Sequence, residues 1–185
     1  MDERALIRAV AAADRASFER LYALYERRVF QYVRTFVRDT ALAEELVIDT
    51  MLAVWHGARK FGDASRVSTW IFGIARHKAL DAVRREQRTG RQVALEEAGE
   101  LVAPSAGPEE QAHRSALRSA MQGAFRELSP DHREILHLAF FEDLPYEEIA
   151  SLLSLPVNTV KTRVYYAKQK LKTQIERLTL AESAS

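Results

Sequence analysis

The segment Leu144–Lys172 reads LPYEEIASLLSLPVNTVKTRVYYAKQKLK, and its pattern predicts two helices that meet at a tight corner. Pro145 suits the first position of a helix, where the N–H that proline lacks has no partner to lose. Pro156 pushes the preceding residue out of the helical region, so the first helix should end at about Ser154. The second helix should begin near Pro156 and run long.

The second helix combines an apolar stripe with a basic remainder. Apolar residues recur at three-four spacing, namely Val157, Val160, Val164, Ala167, Leu171, Ile175 and Leu178. The other faces carry hydroxyl, aromatic and basic side chains, namely Thr159, Lys161, Thr162, Arg163, Tyr166, Lys168, Lys170 and Lys172. A merely solvated face would mix in more acids, and from Thr159 to Leu178 the only acid is Glu176. The segment therefore predicts a helix-turn-helix whose second helix enters the major groove, rather than a surface helix pair with a solvated lysine face.

Length and composition are those of an ordinary globular protein. The 185 residues can form one medium domain or two small ones, and 47% hydrophobic with 29% charged residues is a usual balance. The sequence has no cysteine, which excludes a disulfide framework and a thiolate metal site. No apolar run approaches membrane-spanning length, and the N-terminus has no signal-peptide core. We therefore expect a cytoplasmic protein with no membrane contact of its own.

Charge is unevenly distributed, although the net charge is only +1. Basic residues concentrate at 59–91 and 161–177, and acidic residues concentrate at 96–110. Helical periodicity fails where those acids lie, and glycine and proline punctuate the same stretch. The pattern predicts an acidic flexible linker at 91–112, which separates a first domain at 1–90 from a second at 113–185.

Both domains are predicted to be helical, so the expected fold class is all-α. In the first domain, helical spacing extends over 18–36 and over about 41–58. A third helix should run from Trp70, with Ser68 or Thr69 as its cap. Its outward-facing residues are expected to include three cationic or titratable side chains, Arg76, His77 and Lys78.

The second domain is predicted to contain two further helices before the helix-turn-helix. One extends from about Pro108 to Glu127, and the other begins at Ser129, a good cap followed by a proline. The apolar residues of this second helix are Ile135, Leu136, Leu138 and Phe140.

Two longer runs carry a family resemblance. The run ALAEELVIDTMLAVWHGARKFGDASRVSTWIFGIARHKALDAVRRE, residues 41–86, resembles the second region of bacterial sigma factors. The run LSPDHREILHLAFFEDLPYEEIASLLSLPVNTVKTRVYYAKQKLK, residues 128–172, is similar to their fourth region. The extracytoplasmic-function group has these two regions and a linker, which fits the length of the chain. The resemblance implies a factor that binds core RNA polymerase through its β′ and β subunits, directs it to promoters and is controlled by an anti-sigma factor.

The resemblance also implies how the residues divide the work. The coiled-coil clamp of the β′ subunit would be bound by Glu45, Leu46, Asp49, Thr50 and Met51. The minus-ten element, opened and held as a single strand, would be bound by Phe61, Asp63, Ser65, Arg66, Ser68, Trp70, Arg76, His77 and Lys78. The minus-thirty-five element, read as duplex, would be bound by Asn158, Thr159, Lys161, Thr162, Arg163, Tyr166, Lys168 and Lys170.

The physical character of the minus-ten segment agrees with that role. A loop of small residues beside Phe61 and Trp70 can admit an unstacked base, and stacking on an aromatic ring is worth about 1–3 kcal/mol per base. Trp70 has an alternative role, because an inward-facing tryptophan on a helix commonly belongs to the core. Arg76, His77 and Lys78 are the better candidates for contact with the DNA backbone.

Five positions depart from the common family pattern. Ile48 and Met51 stand where glutamine and phenylalanine are usual, and His77 and Asn158 stand where asparagine and glycine are frequent. Tyr166 replaces a frequent arginine, which changes the bases that can be read because the bidentate guanidinium is lost. The promoter sequence therefore cannot be inferred from the relatives.

Two other classes of protein are alternatives. His77 and Asp81 have the i, i+4 spacing of metal ligands, but no second cluster, phosphate loop or nucleophile motif completes a catalytic site. We therefore expect no enzyme, metal or cofactor, and interpret the pair as a surface hydrogen bond. A helix-turn-helix repressor would bind a palindrome as a dimer, without polymerase. An interaction module held by an inhibitory partner is a third possibility, compatible with the first.

Overall fold

The computed structural model describes residues 2–62, 64–89, 121 and 123–182, and every regular element within them is helical. The N-terminal unit, residues 2–89, consists of α1 (Glu3–Ala11), α2 (Arg15–Val33), α3 (Thr40–Gly57), a 3-10 turn (Ala58–Lys60) and α4 (Val67–Thr89). The C-terminal unit, from residue 121 onward, contains α5 (Pro130–Leu136), a π-helical turn (His137–Phe141), α6 (Tyr146–Leu153) and α7 (Val157–Glu182). The predicted all-α class is confirmed, and within the described ranges no helix has the length and apolarity needed to span a membrane.

Aspartates start the first three helices and fix their boundaries. The Asp39 carboxylate accepts hydrogen bonds from the backbone N–H groups of Ala41 and Leu42, at 2.8 and 3.2 Å. Asp2 and Asp14 cap α1 and α2 in the same way, and α1 is a helix that the sequence analysis did not predict. An aspartate cap satisfies N–H groups that have no helical partner, and its charge suits the positive end of the helix dipole.

Two predicted helix boundaries need correction. The second helix of the chain ends at Val33 rather than at Phe36. The helix expected from Trp70 begins at Val67, so Ser68 and Thr69 lie inside its first turn and do not cap it. Both side chains are buried there, because this turn packs against the rest of the protein.

Helix α2 forms the centre of the N-terminal unit. Tyr25, Val29 and Tyr32 on its inner face are fully buried. Phe72 of α4 meets both tyrosine rings, with centroids 6.3 Å from Tyr25 and 5.2 Å from Tyr32. Met51 completes this layer from α3 and is also fully buried. Large apolar side chains at helical spacing thus hold three helices together.

The predicted helix-turn-helix is present. Helix α6 ends at Leu153, and Ser154 adopts a left-handed conformation with φ 55° and ψ 46°. The N–H of Leu155 then donates to the carbonyl of Ala150 at 2.9 Å, which closes the corner. Pro145 precedes α6 as its cap residue instead of occupying the first helical position, because its ψ of 145° is extended. Val160 and Val164, which belong to the predicted apolar stripe of α7, are buried.

Some predicted features fall on other parts of the chain. The predicted linker, 91–112, lies outside the described residues. Of the helix predicted over 108–127, residues 121 and 123–126 are helical, and 108–120 lie outside the described part. Helix α5 begins after Ser129 as predicted, with the Ser129 hydroxyl accepting from the N–H of His132. Phe140, predicted as one of its apolar positions, is instead 50% exposed.

Candidate polymerase and nucleic-acid interfaces

Helix α3 presents two apolar side chains on its outer face. Ile48 is 52% exposed and Leu52 is 49% exposed, and both lie on the same face as Glu45 and Asp49. The Asp49 carboxylate lies 3.6 Å from the ammonium of Lys78 on α4 and keeps 47% of its side-chain surface exposed. An apolar pair beside acids is a surface that can dock on a partner.

Three of the five residues predicted to touch polymerase do not belong to this outer face. Leu46 is 3% exposed, and Thr50 and Met51 are fully buried. The Thr50 hydroxyl is used within the helix, where it donates to the Leu46 carbonyl at 2.6 Å. The prediction is therefore corrected: these three side chains hold α3 in the core, and Glu45 and Asp49 lie on the surface. Leu52 was missed, although its spacing from Asp49 places both on one helix face.

The aromatic residues of the predicted minus-ten segment pack on each other. The Phe61 and Trp70 ring centroids are 5.3 Å apart at an interplanar angle of 52°. Trp70 also covers Gly57, where a Cβ would lie 3.2 Å from its ring. Trp70 is therefore half-buried and packs in the core, as the alternative role predicted, and its stacking on a base stays a prediction. Ser68 is buried, and Asp63 lies outside the described residues.

The basic side chains of the same surface lie in different environments. Arg66 is 53% exposed and pairs with Glu148 of α6 at 3.3 Å. The Arg76 Nε donates to Glu134 of α5 at 2.8 Å, and its side chain is 28% exposed. The prediction that Arg76 faces outward is therefore wrong for this conformation, because it is directed at the C-terminal unit.

His77 and Lys78, which follow Arg76 on α4, differ in exposure. His77 is 78% exposed, and its Nε2 lies 3.2 Å from an Asp81 carboxylate oxygen, so the two side chains meet on the surface as predicted. Lys78 keeps 28% of its side chain exposed. Ser65 lies half-buried in the preceding loop. In the described residues, no cluster of three or more His, Asp or Glu side chains is arranged to hold a metal ion.

The first turns of α7 present polar and basic side chains to solvent. Asn158, Lys161 and Thr162 are exposed, and Thr159 is half-buried. The Thr162 hydroxyl donates to the Asn158 carbonyl at 2.9 Å, which leaves its lone pairs available outward. Arg163 lies beside α5, where its guanidinium is 3.2 Å from Asp131. These groups can reach phosphate oxygens and base edges of a duplex.

The following turn of α7 adds aromatic and cationic groups. Tyr166 is 57% exposed and meets Tyr165 edge to face at 5.5 Å between centroids. The Lys168 ammonium lies 4.4 Å from the centre of the Phe140 ring, and Lys170 is exposed. Burial, followed by the nearby Lys170, lowers the pKa of His132 on the adjoining helix α5.

Two family models match the chain, one for each unit. The model described as Sigma-70 region 2 matches residues 21–89, and the model described as Sigma-70, region 4 matches residues 118–171. Among curated proteins, the RNA polymerase sigma factor CarQ of Myxococcus xanthus is 29% identical over 164 residues, which are 89% of this chain and 92% of that protein. The ECF RNA polymerase sigma factor SigK of Mycobacterium tuberculosis is 28% identical over 176 residues, 95% of this chain and 94% of SigK.

Solved structures show the same fold. The sigma factor RpoE of Bartonella quintana, solved with the anti-sigma factor NepR, has a TM-score of 0.69 at 23% identity, covering 86% of this chain and 96% of that one. CnrH, solved with the cytosolic domain of CnrY, has a TM-score of 0.65 at 21% identity, covering 95% of this chain and 97% of that one.

Proposed function

The chain belongs to the sigma-70 family, in its extracytoplasmic-function group, and from that premise we propose how its residues divide the work of promoter recognition. A sigma factor binds core RNA polymerase, directs it to specific promoters and helps to open the minus-ten element. The family consists of transcription regulators, and we assign this chain no catalytic activity of its own. We place it in the cytoplasm, where polymerase and DNA are, under the control of an anti-sigma factor.

The polymerase contact is assigned to the outer face of α3. Ile48 and Leu52 supply apolar area, and Glu45 and Asp49 flank it with charge. Apolar residues at the centre of a contact and charges at its rim are the usual arrangement of a protein interface. The clamp of the β′ subunit would therefore lie along the outer face of α3, while Leu46, Thr50 and Met51 pack the inner face of the helix in the core.

The minus-ten element is assigned to the N-terminal end of α4 and the loop before it. Arg66, Arg76 and His77 would hold phosphates, and the half-buried Phe61–Trp70 pair would receive an unstacked base. We assign this role to the unit at 1–90 and the duplex-reading role to the unit at 113–185, with 91–112 as the connection.

The observation that carries the proposal is the exposure of the α7 start. The turn after α6 places Asn158, Lys161 and Thr162 in solvent, while Val160 and Val164 of the same turns are buried. A helix held in this way can enter the major groove of the minus-thirty-five element with its polar face forward. Arg163 and Tyr166 would extend the contact along the groove.

Run-off transcription with core polymerase over a promoter library tests this assignment. We expect transcripts with the protein and none without it. Arg163→Ala should reduce minus-thirty-five-dependent transcription by a factor equivalent to about 1–3 kcal/mol at particular base pairs. Arg177→Ala, a matched change four turns further along α7, should leave promoter choice unaltered. Unchanged transcription by Arg163→Ala would contradict the placement of this helix.

A further inference from the structure

Arg163, which we assign to the minus-thirty-five duplex, pairs with an acid from a different helix. Its Nη1 donates to a carboxylate oxygen of Asp131, in the first turn of α5, at 3.2 Å. Within the described part of the chain, the Arg163 guanidinium makes no further hydrogen bond or ion pair. One end of the guanidinium is therefore occupied, and its other donors are available to a ligand.

The donors that remain on Arg163 suit the edge of a base. The guanidinium carries five N–H groups in a planar fork. When Nη1 is engaged, Nε and Nη2 still offer two parallel N–H groups along one edge of the plane. Guanine has the matching pair of acceptors, O6 and N7, in the major groove. The contact with Asp131 is therefore compatible with bidentate reading of one base.

The turn that carries Asp131 is itself well held. The Ser129 hydroxyl caps α5, and Pro130 restricts the backbone at the start of the helix. The Arg133 guanidinium donates to the Leu128 carbonyl at 3.1 Å and so ties the helix to the segment that leads into it. The backbone at Asp131 is thus in place before any DNA binds.

The two helices that carry the pair are also fixed against each other. Ile135 of α5 is fully buried, and Val160 and Val164, which flank Arg163 along α7, are buried as well. All three belong to the same apolar core. The positions of the Asp131 and Arg163 backbones are therefore set by core packing, and the surface pair only has to orient a side chain.

The charge of Asp131 is unfavourable for DNA binding by itself. Its side chain is 67% exposed and lies beside a helix on which, from Thr159 to Leu178, the only acid is Glu176. A carboxylate near phosphates reduces the attraction that the cations of α7 provide. An exposed ion pair also contributes little to the stability of a fold. The orientation of Arg163 is the property that this acid can improve.

We infer that Asp131 is a positioning residue for sequence reading, which holds one end of the Arg163 guanidinium and leaves the other edge to a base. This inference rests on the proposed function, because that function places α7 in the major groove. An unrestrained arginine finds phosphate oxygens at every sequence, whereas a restrained one makes its two bonds only where the correct base lies. Asp131 therefore lowers general affinity and raises discrimination between base pairs.

The affinity of the holoenzyme for a promoter and for its single-base-pair variants across the minus-thirty-five element tests this role. Asp131→Ala should reduce discrimination at one or two base pairs by about threefold to fivefold, the range that an exposed ion pair can supply. The salt slope should steepen by up to about one unit, because the released Arg163 can neutralise a phosphate. Asp131→Asn should have a smaller effect, since its amide oxygen still accepts a hydrogen bond.

Glu147→Ala is the matched control. Glu147 is also an exposed acid in the first turn of a helix, α6, and its removal changes the net charge by the same amount. Among the described residues it pairs with no arginine, so its removal should leave both discrimination and the salt slope unchanged. Circular dichroism should show the same helical content in both variants.

A double variant separates positioning from a general effect of charge or folding. When Arg163 is already alanine, Asp131→Ala should no longer alter discrimination, because the group that Asp131 orients is gone. An effect of Asp131 on the fold alone would persist in that background.

The outcomes distinguish this inference from the proposed function. If the parent holoenzyme opens its promoter and Asp131→Ala raises affinity equally for every promoter variant, Asp131 is only a repulsive charge and the inference is overturned. The same follows if Asp131→Ala reduces discrimination as much in the Arg163→Ala background as in the parent. If Arg163→Ala leaves minus-thirty-five-dependent transcription unchanged, the proposed placement of α7 fails, and the role of Asp131 fails with it.

Discussion

At the scale of single residues, Ser154 determines the angle between the two helices of the helix-turn-helix. Its φ of 55° lies in the left-handed region, which a side chain with a Cβ occupies at a cost of roughly 1–2 kcal/mol. Glycine has no such penalty and is the usual residue at the end of a helix. Pro156 predicts that the first helix ends, but no glycine stands near position 154 to show that the backbone there is left-handed.

We predict that Ser154→Gly stabilises the protein by up to about 1 kcal/mol and that Ser154→Val destabilises it by roughly 1–2 kcal/mol. Urea unfolding followed by circular dichroism measures both changes. Ser151, exposed in the interior of α6, provides the control, because Ser151→Gly should destabilise a helical position. Equal effects of glycine at the two sites would contradict this account of the corner.

Tyr32 is a second residue whose environment makes a prediction. Burial and the neighbouring Glu134 raise the pKa of the Tyr32 phenol well above its ordinary value. An unfolded chain therefore loses this proton above about pH 10 while the folded chain keeps it. The raised pKa means that the contribution to stability is fully present below that pH and is lost as the pH rises.

We therefore expect Tyr32→Phe to lower the free energy of unfolding at neutral pH by about 1–3 kcal/mol, since a bond to a charged acceptor is lost. The same change should also flatten the decline in stability above about pH 10. Denaturant titrations from pH 7 to about 11 measure both effects. Tyr165→Phe, at a position 59% exposed, should alter neither. An unchanged alkaline slope in Tyr32→Phe would refute the argument.

At the scale of helices, α3 shows which parts of a site a sequence can reveal. The assignment of α3 to the polymerase follows from a family pattern and stays a prediction. The residues of α3 that match the pattern do not all lie on its surface, because Leu46, Thr50 and Met51 form the inner face when α3 packs on its neighbours. The helical period separates that inner face from the outer face of Ile48 and Leu52.

The position of Leu52 on the outer face of α3 leads to a prediction for Leu52→Glu. An acid in the middle of a docking surface should weaken binding to core polymerase by at least about tenfold, whereas helical content should stay normal because Leu52 is 49% exposed. Leu24→Glu changes a leucine that is 39% exposed on α2 and should leave binding intact. Affinity measured by fluorescence anisotropy distinguishes the two. Equal affinities would remove α3 from the interface.

Helix α7 makes a prediction that depends on salt. Lys168 is exposed beside the reading face, so it is expected to contact a phosphate and not a base. Lys168→Ala should weaken holoenzyme binding to all promoters alike and reduce the salt slope by about one unit. Lys172 pairs with Glu176 at 3.8 Å one turn further on, and Lys172→Ala should leave the slope unchanged. A loss confined to one promoter would instead make Lys168 a base-reading residue.

At the scale of the whole molecule, the contact between the units was beyond prediction from local signals. Glu134 lies 102 residues from Tyr32, and Glu142 lies 114 residues from Arg28. Capping and periodicity describe neighbours along the chain, and they carry no information about such distant pairs. Arg76 is an example. Its position on the helix predicts that it faces solvent, but its guanidinium contacts Glu134 of the C-terminal unit.

That contact leads to a final prediction about the free protein on promoter duplex. Three processes oppose its binding at the minus-ten element: separation of the units, release of Arg66 and Arg76 from their carboxylates, and melting of the base pairs. The minus-thirty-five face of α7 is subject to none of them, since Lys161 and Thr162 are already exposed. We therefore expect the free protein at high concentration to protect at most the upstream element, weakly and with strong salt dependence.

Footprinting of one promoter with the free protein, core polymerase and the holoenzyme measures this directly, and permanganate reactivity reports the opened strand. The holoenzyme should protect both elements and open the downstream one. The variant Glu134→Gln with Glu148→Gln, which removes the charges that Arg76 and Arg66 pair with, should still fail to open duplex without polymerase, because releasing the two arginines does not supply the energy of melting. A footprint over both elements from the free parent protein would contradict this prediction and favour a repressor that reads duplex DNA by itself.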